Sequence, residues 1–124
     1  MYWKVVNLEN NPNTNNLYKP LFLPCDVVYE VGKRYQINPE YQGPYSAFKT
    51  YDAAKTFALE TCEFAIFECQ GELSASRELR WDNPSGYNWI NQGVRAWPYG
   101  TVFLQSFILE KKVAEMVNGH FTEF

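Results

Sequence analysis

The chain has 124 residues, enough for one domain over 1–124 with a sizeable buried core and no need of metal or disulfide staples. Hydrophobic residues make up 46% of it and aromatics 18%, which excludes a wholly disordered protein and predicts packing dominated by rings. With 11 Lys and Arg against 14 Asp and Glu the net charge is -3, so no basic field exists to hold a phosphate backbone irrespective of its sequence.

Tyr2 to Leu8 is rich in aromatic and β-branched residues and reads as a strand, with Trp3, Val5 and Asn7 on one side and Lys4, Val6 and Leu8 on the other. Glu9 to Asn16 is dense in Asn, whose side chain bonds its own backbone, and predicts a surface loop. Pro20 and Pro24 flank an apolar run from Leu17 to Leu23 and remove backbone donors, which predicts an extended edge segment. Val27, Tyr29 and Val31 alternate within a strand from Cys25 that Gly32 ends. Lys33 to Gln42 reads as a loop or short strand leading into Gly43-Pro44.

Local signals agree best between Gly43 and Gly71, which reads as a short strand, a helix over about 51–60 and a second strand. Thr50 is placed to cap the helix, Asp52 lies in its first turn where the dipole favours a carboxylate, and Tyr51, Ala54, Phe57, Ala58 and Thr61 share a stripe. Phe64 to Phe67 is apolar at both alternating sets of positions, as in a strand covered on both faces; Glu68 and a Gln70-Gly71 turn are expected to end it.

Glu72 to Arg80 has mixed periodicity and is read as a weak strand. Trp81 to Gly100 is loop-like by its Asn-Pro, Ser-Gly, Gln-Gly and Trp-Pro signals, yet holds five aromatic residues before Gly100. Thr101 to Leu109 predicts a strand with unequally dry faces, given Gln105 and Ser106. Leu109, Val113, Met116 and Val117 follow helical spacing with Gly119 beyond them, predicting a C-terminal helix over about 110–118; continuation of the strand to Val113 is the alternative.

Cys25, Cys62 and Cys69 lack CxxC spacing and read as buried free thiols, so no metal is expected. The N-terminus does not have the pattern of a signal peptide, and no apolar run reaches the ~18 residues of a membrane span, so a cytoplasmic setting without membrane contact is expected. His120 is the single histidine and stands near the terminus, a poor place to hold a catalytic base. Glu60, Glu63, Glu68 and Glu72 read as solvated charge, with Glu68 the least ordinary because it extends an apolar strand. Phosphate-loop, dinucleotide and zinc-protease motifs are missing from the sequence, so no cofactor and no catalytic residue is assigned.

The aromatic segment remains. Trp81, Tyr87, Trp89, Arg95 and Trp97 are the candidate binding residues: rings that stack on a base while Arg95 meets a phosphate, or that anchor a protein interface. The competing reading lays the indoles across the sheet to tie a long connection to the core.

One pattern runs through Tyr29-Glu30-Val31-Gly32-Lys33, Gly43-Pro44, Phe48-Lys49-Thr50, Ala54, Phe57-Ala58, Ile66-Phe67-Glu68-Cys69 and Pro98-Tyr99-Gly100-Thr101-Val102. It resembles a group of small uncharacterised phage and viral proteins, which implies a host cytoplasm but no particular activity. A fainter similarity, Ser46 to Ala58 as a strand leading into a helix, is to ADP-ribosyltransferases. No NAD-anchoring residue of the first strand and no late catalytic Glu can be matched to that family.

These observations predict an α+β domain with a mainly antiparallel sheet of about five or six strands and the 51–60 helix on one face. The expected function is non-enzymatic binding of a host protein or nucleotide-like ligand through 81–99, inhibition of a host defence being one form. The alternative is an NAD- or nucleotide-processing enzyme using Glu68 or Glu115.

Overall fold

The computed structural model describes residues 1–8, 17–20, 29–38, 44–61, 63–75, 80–82, 88–90 and 97–124, with 17–20, 80–82 and 88–90 described by their backbone. Among these residues the fold is dominated by antiparallel sheet, with one helix. Its strands are β1 (Tyr2–Asn7), β2 (Leu17–Pro20), β3 (Tyr29–Glu30), β4 (Arg34–Gln36), β5 (Tyr45–Phe48), β6 (Phe64–Leu73), β7 (Arg80–Asp82), β8 (Asn88–Ile90), β9 (Thr101–Val117) and β10 (His120–Glu123). The helix α1 (Tyr51–Ala58) lies between β5 and β6. Among the described residues eight strands share one sheet and β7–β8 form a separate ribbon, more strands than the five or six expected.

The main ladder closes on itself. β1 pairs with β6, β6 with β9, β9 with β5, and β5 again with β1 through Trp3 and Phe48. β5 and β6 both run antiparallel to β1, so α1 carries the chain across β1 from one flank to the other. The strand–helix–strand reading of Gly43 to Gly71 therefore corresponds to β5–α1–β6.

Alternation along these strands divides the core in two. On one side Val6, Tyr45, Ala47, Ala65, Phe67 and Leu104 pack together with Tyr29 and Phe107. On the other, Ala53, Ala54 and Ala58 of α1 lie against Val5, Phe48, Phe64, Ile66 and Ala114. Small residues on the helix let its axis come close to the sheet, and each large side chain buried there contributes roughly 1.5–3 kcal/mol. Phe64 to Phe67 is buried throughout, as a strand covered on both faces must be. The Thr50 side chain accepts from the Ala53 amide at 3.1 Å, the expected cap.

Five readings require correction. The expected helix over 110–118 is strand: β9 runs unbroken to Val117, and Asn118 and Gly119, with φ of 52° and 74°, form the turn into β10. Such paired positive φ values belong to a type I′ hairpin turn, for which Asn-Gly is the preferred sequence. Register shifts against β6 leave Gln105, Glu110 and Val113 as extra residues on β9. These bulges explain the false helical spacing, because each breaks the period of two.

Gln70-Gly71 is not a turn but lies within β6, which continues to Leu73. A Cβ at Gly71 would stand 2.4 Å from the Ser106 carbonyl oxygen and 2.9 Å from Leu104 Cδ1, so glycine is required where β6 meets β9. The Leu17 run contributes β2, which is not an edge: it pairs β1 through Lys19 and Pro20 and β3 through Leu17 and Tyr18. Proline is accommodated because β3 pairs only with Leu17 and Tyr18, so that among the described residues Pro20 has a strand partner on one side alone. The supposed loop beyond Trp81 contains the β7–β8 ribbon, in which Trp81 stands opposite Trp89. The Asn-Pro and Ser-Gly pairs in the sequence between the two strands are the loop-like signals that outweighed the strand residues. Finally, the predicted helix end at Glu60 is two residues too late, α1 stopping at Ala58.

Lys4 is the exception within the first core. Only 3% exposed, it donates from Nζ to the Ser46 carbonyl at 2.5 Å, and its ammonium lies 5.5 and 5.6 Å from the ring centroids of Tyr29 and Phe107. Burial lowers its pKa to about 8, partly opposed by nearby Cys69. Cys69 is a buried free thiol whose own pKa burial pushes up to about 11. Cys25 and Cys62 lie outside the described residues.

Candidate functional site: a groove between the helix and the Trp97–Tyr99 segment

The chain enters β9 through a tight turn at Pro98–Thr101. The Thr101 amide donates to the Pro98 carbonyl at 3.1 Å, its hydroxyl donates to the same oxygen at 2.5 Å, and Gly100 has φ of 83°. A positive φ at the third position is the demand of a type II turn, which glycine meets without strain. The Lys49 amide donates to the Gly100 carbonyl at 2.9 Å, tying the turn to the residue just before the α1 cap. A Cβ on Gly100 would lie 2.6 Å from that of Ala53, so the turn rests directly on the helix.

This seating leaves a cavity of about 560 Å³ between the helix and the turn. Trp97, Pro98 and Tyr99 form one wall; Ala53, Thr56 and Phe57 form the other, and Thr50, Asp52 and Glu60 stand along the helix side. Tyr99 is 85% exposed, whereas Trp97 is half-buried with its ring 5.1 Å from that of Phe103 in an edge-to-face contact. Phe57 is anchored likewise by Phe48, at 5.4 Å. Trp97 and Phe57 are thus held from behind by buried phenylalanine rings, while Tyr99 stands largely in solvent. Asp52 and Glu60 supply the charge of the cavity, and among the described residues no lysine or arginine lines it.

Of the sequence-predicted site residues, Trp97 lines this groove. Trp81 and Trp89 are cross-strand partners on the β7–β8 ribbon, described by backbone alone. Tyr87 and Arg95 lie outside the described residues. By sequence Asp52, Phe57 and Glu60 read as fold determinants or solvated charge, and Tyr99 belongs to the aromatic segment without being among the five candidates. The exposed Tyr next to a Pro and a Gly was the available signal.

The alternative catalytic carboxylates stand elsewhere. Glu68 is half-buried on β6 opposite Trp3 and Lys111, and Glu115 pairs with Lys112 at 3.1 Å. His120 is exposed on β10 opposite Val117. A second, smaller cavity of about 170 Å³ lies at β4, β6 and β9, where the Arg34 guanidinium donates to Glu72 at 2.6 Å and the buried Ser106 hydroxyl donates to the same carboxylate at 3.1 Å. These bonds and one from Gln105 hold the Glu72 carboxyl below its usual pKa. Its polar groups are largely engaged with one another. Among the described residues, no helix is long and apolar enough to cross a membrane and no group of three His, Cys, Asp or Glu residues is placed to hold a metal ion.

Comparison with protein-family models, curated proteins and solved structures gave no match.

Proposed function

We propose that this chain is a non-enzymatic binding protein whose partner is another protein, seated in the groove between α1 and Trp97–Tyr99. On the phage or viral resemblance of its sequence, that partner is a host protein. The observation that carries the reading is the 85% exposed Tyr99 beside half-buried Trp97 and Phe57 at the mouth of a 560 Å³ cavity. Folding gains nothing from an aromatic ring left in water, whereas protein interfaces draw their anchors from Trp and Tyr. A nucleotide is the weaker candidate, because Asp52 and Glu60 would face its phosphates and like charges repel.

Paired affinity purification from host extract tests this. A protein retained by the wild-type chain and by a Leu73→Ala control, and lost from a Trp97→Ala/Tyr99→Ala variant of unchanged fold, is the expected result; Leu73 is exposed on β6 and does not line the groove. Interface aromatics truncated to alanine typically cost about 2 kcal/mol or more, so the loss amounts to at least about thirtyfold. Equal retention by both variants contradicts the proposal.

A further inference from the structure

The chemistry of the groove selects a particular side chain, and this inference rests on the binding role just proposed. We infer that the groove receives a segment of the partner carrying an arginine or lysine, with the aliphatic stem against Phe57 and Trp97 and the cation directed to Glu60. Three features converge. Phe57, Trp97 and Tyr99 line one cavity, and a cation set over the face of such a ring gains from its quadrupole. Two carboxylates, Asp52 and Glu60, line the same cavity without a lysine or arginine among the described residues that line it. Glu60 also lies just past the C-terminal end of α1, the negative end of the helix dipole, which adds to the negative potential there.

The neighbouring lysines do not neutralise the site. Lys55 reaches the other way: its ammonium pairs with Glu123 at 3.3 Å and lies 5.4 Å from the Phe121 ring. Lys49 contributes its backbone amide to the turn and does not line the cavity. Along the helix Asp52 and Glu60 are roughly 12 Å apart at 1.5 Å per residue, which is about four residues of extended chain. A short basic-apolar segment therefore spans the groove, its cation at one end. Asp52 favours a second positive charge at the other.

The probe is a pair of pentapeptides, acetyl-Gly-Leu-Leu-Arg-Gly-amide and the same peptide with citrulline in place of arginine, which keeps the shape of arginine and removes its charge. Amide and indole resonances of the intact chain are followed by NMR during titration. The arginine peptide is expected to shift Trp97 and residues 52–60, to bind about tenfold more tightly than the citrulline peptide, and to weaken as salt rises. In a Glu60→Gln/Asp52→Asn variant the two peptides are expected to bind alike. Equal binding of both peptides to the wild-type groove overturns the cation preference while leaving a binding groove in place. Shifts confined to other faces, or no shift with either peptide, also overturn it; the affinity comparison of Trp97→Ala/Tyr99→Ala then decides separately whether the groove binds a protein at all.

Discussion

Lys4 is placed where a residue can be examined alone. Among the described residues the charged amine in the core meets the Ser46 carbonyl and two ring faces, and burial lowers its pKa to about 8 from an ordinary 10.5. The folded state therefore holds this proton less firmly than the unfolded chain. Between pH 8 and 10.5 the unfolded chain binds more protons, so the contribution of Lys4 to stability rises with pH across that window. The rise amounts to roughly 3 kcal/mol at 1.36 kcal/mol per unit. Cys69 acts in the opposite sense: its raised pKa lowers stability as pH climbs from 9 to about 11. Comparison with Lys4→Met isolates the amine. The stability of the wild-type chain relative to Lys4→Met, measured by urea denaturation, is expected to increase from pH 8 to pH 10.5; a difference that is flat with pH would contradict a buried, destabilised ammonium. The sequence placed Lys4 on the same side as Val6, but not its burial, which follows from rings that meet it from β3 and β9, far away in the chain.

At the scale of elements, legibility tracked the range of the interactions that build them. β1, β5, α1 and the start of β6 were read from short-range signals: alternation, a Thr cap and an apolar run. β9 was misread in its second half because bulges at Glu110 and Val113 are set by pairing with β6, a partner some forty residues away in sequence. The apparent helical stripe joins Leu109, in one core, to Val113 and Met116, which pack on the other. Gly71 belongs to the same class of information. Its missing side chain is explained by the approach of β9 and carries no local signal beyond that of a turn. Gly71→Ala is expected to destabilise the fold by about 3 kcal/mol, because a Cβ 2.4 Å from the Ser106 carbonyl oxygen forces the two strands apart. Thermal or denaturant unfolding checks it; a loss under about 0.5 kcal/mol would mean that β6 and β9 are not so closely apposed.

Over the whole molecule, the closed circuit β1–β6–β9–β5 fixes the helix across β1 and brings the entry turn of β9 against it. The groove is a product of that closure. Its two walls come from residues about forty positions apart, and Gly100 against Ala53 sets their spacing. Sequence reasoning reached one wall, the aromatic segment, through Trp97 and the Trp-Pro signal. It did not reach the other, since nothing local says that Asp52, Phe57 and Glu60 face a tyrosine near position 100. The organising unit of the fold and the candidate binding surface are therefore the same place seen from two sides.

The groove between α1 and Trp97–Tyr99 is the proposed face through which the chain meets its partner. The most direct measurement places a photo-crosslinking phenylalanine analogue at position 99, and in a second preparation at position 73, and irradiates each in extract of the proposed host. The account predicts one dominant protein adduct from position 99, absent from position 73 and abolished by Glu60→Lys. Equal adducts from both positions, or a dominant adduct from position 73 alone, would contradict it.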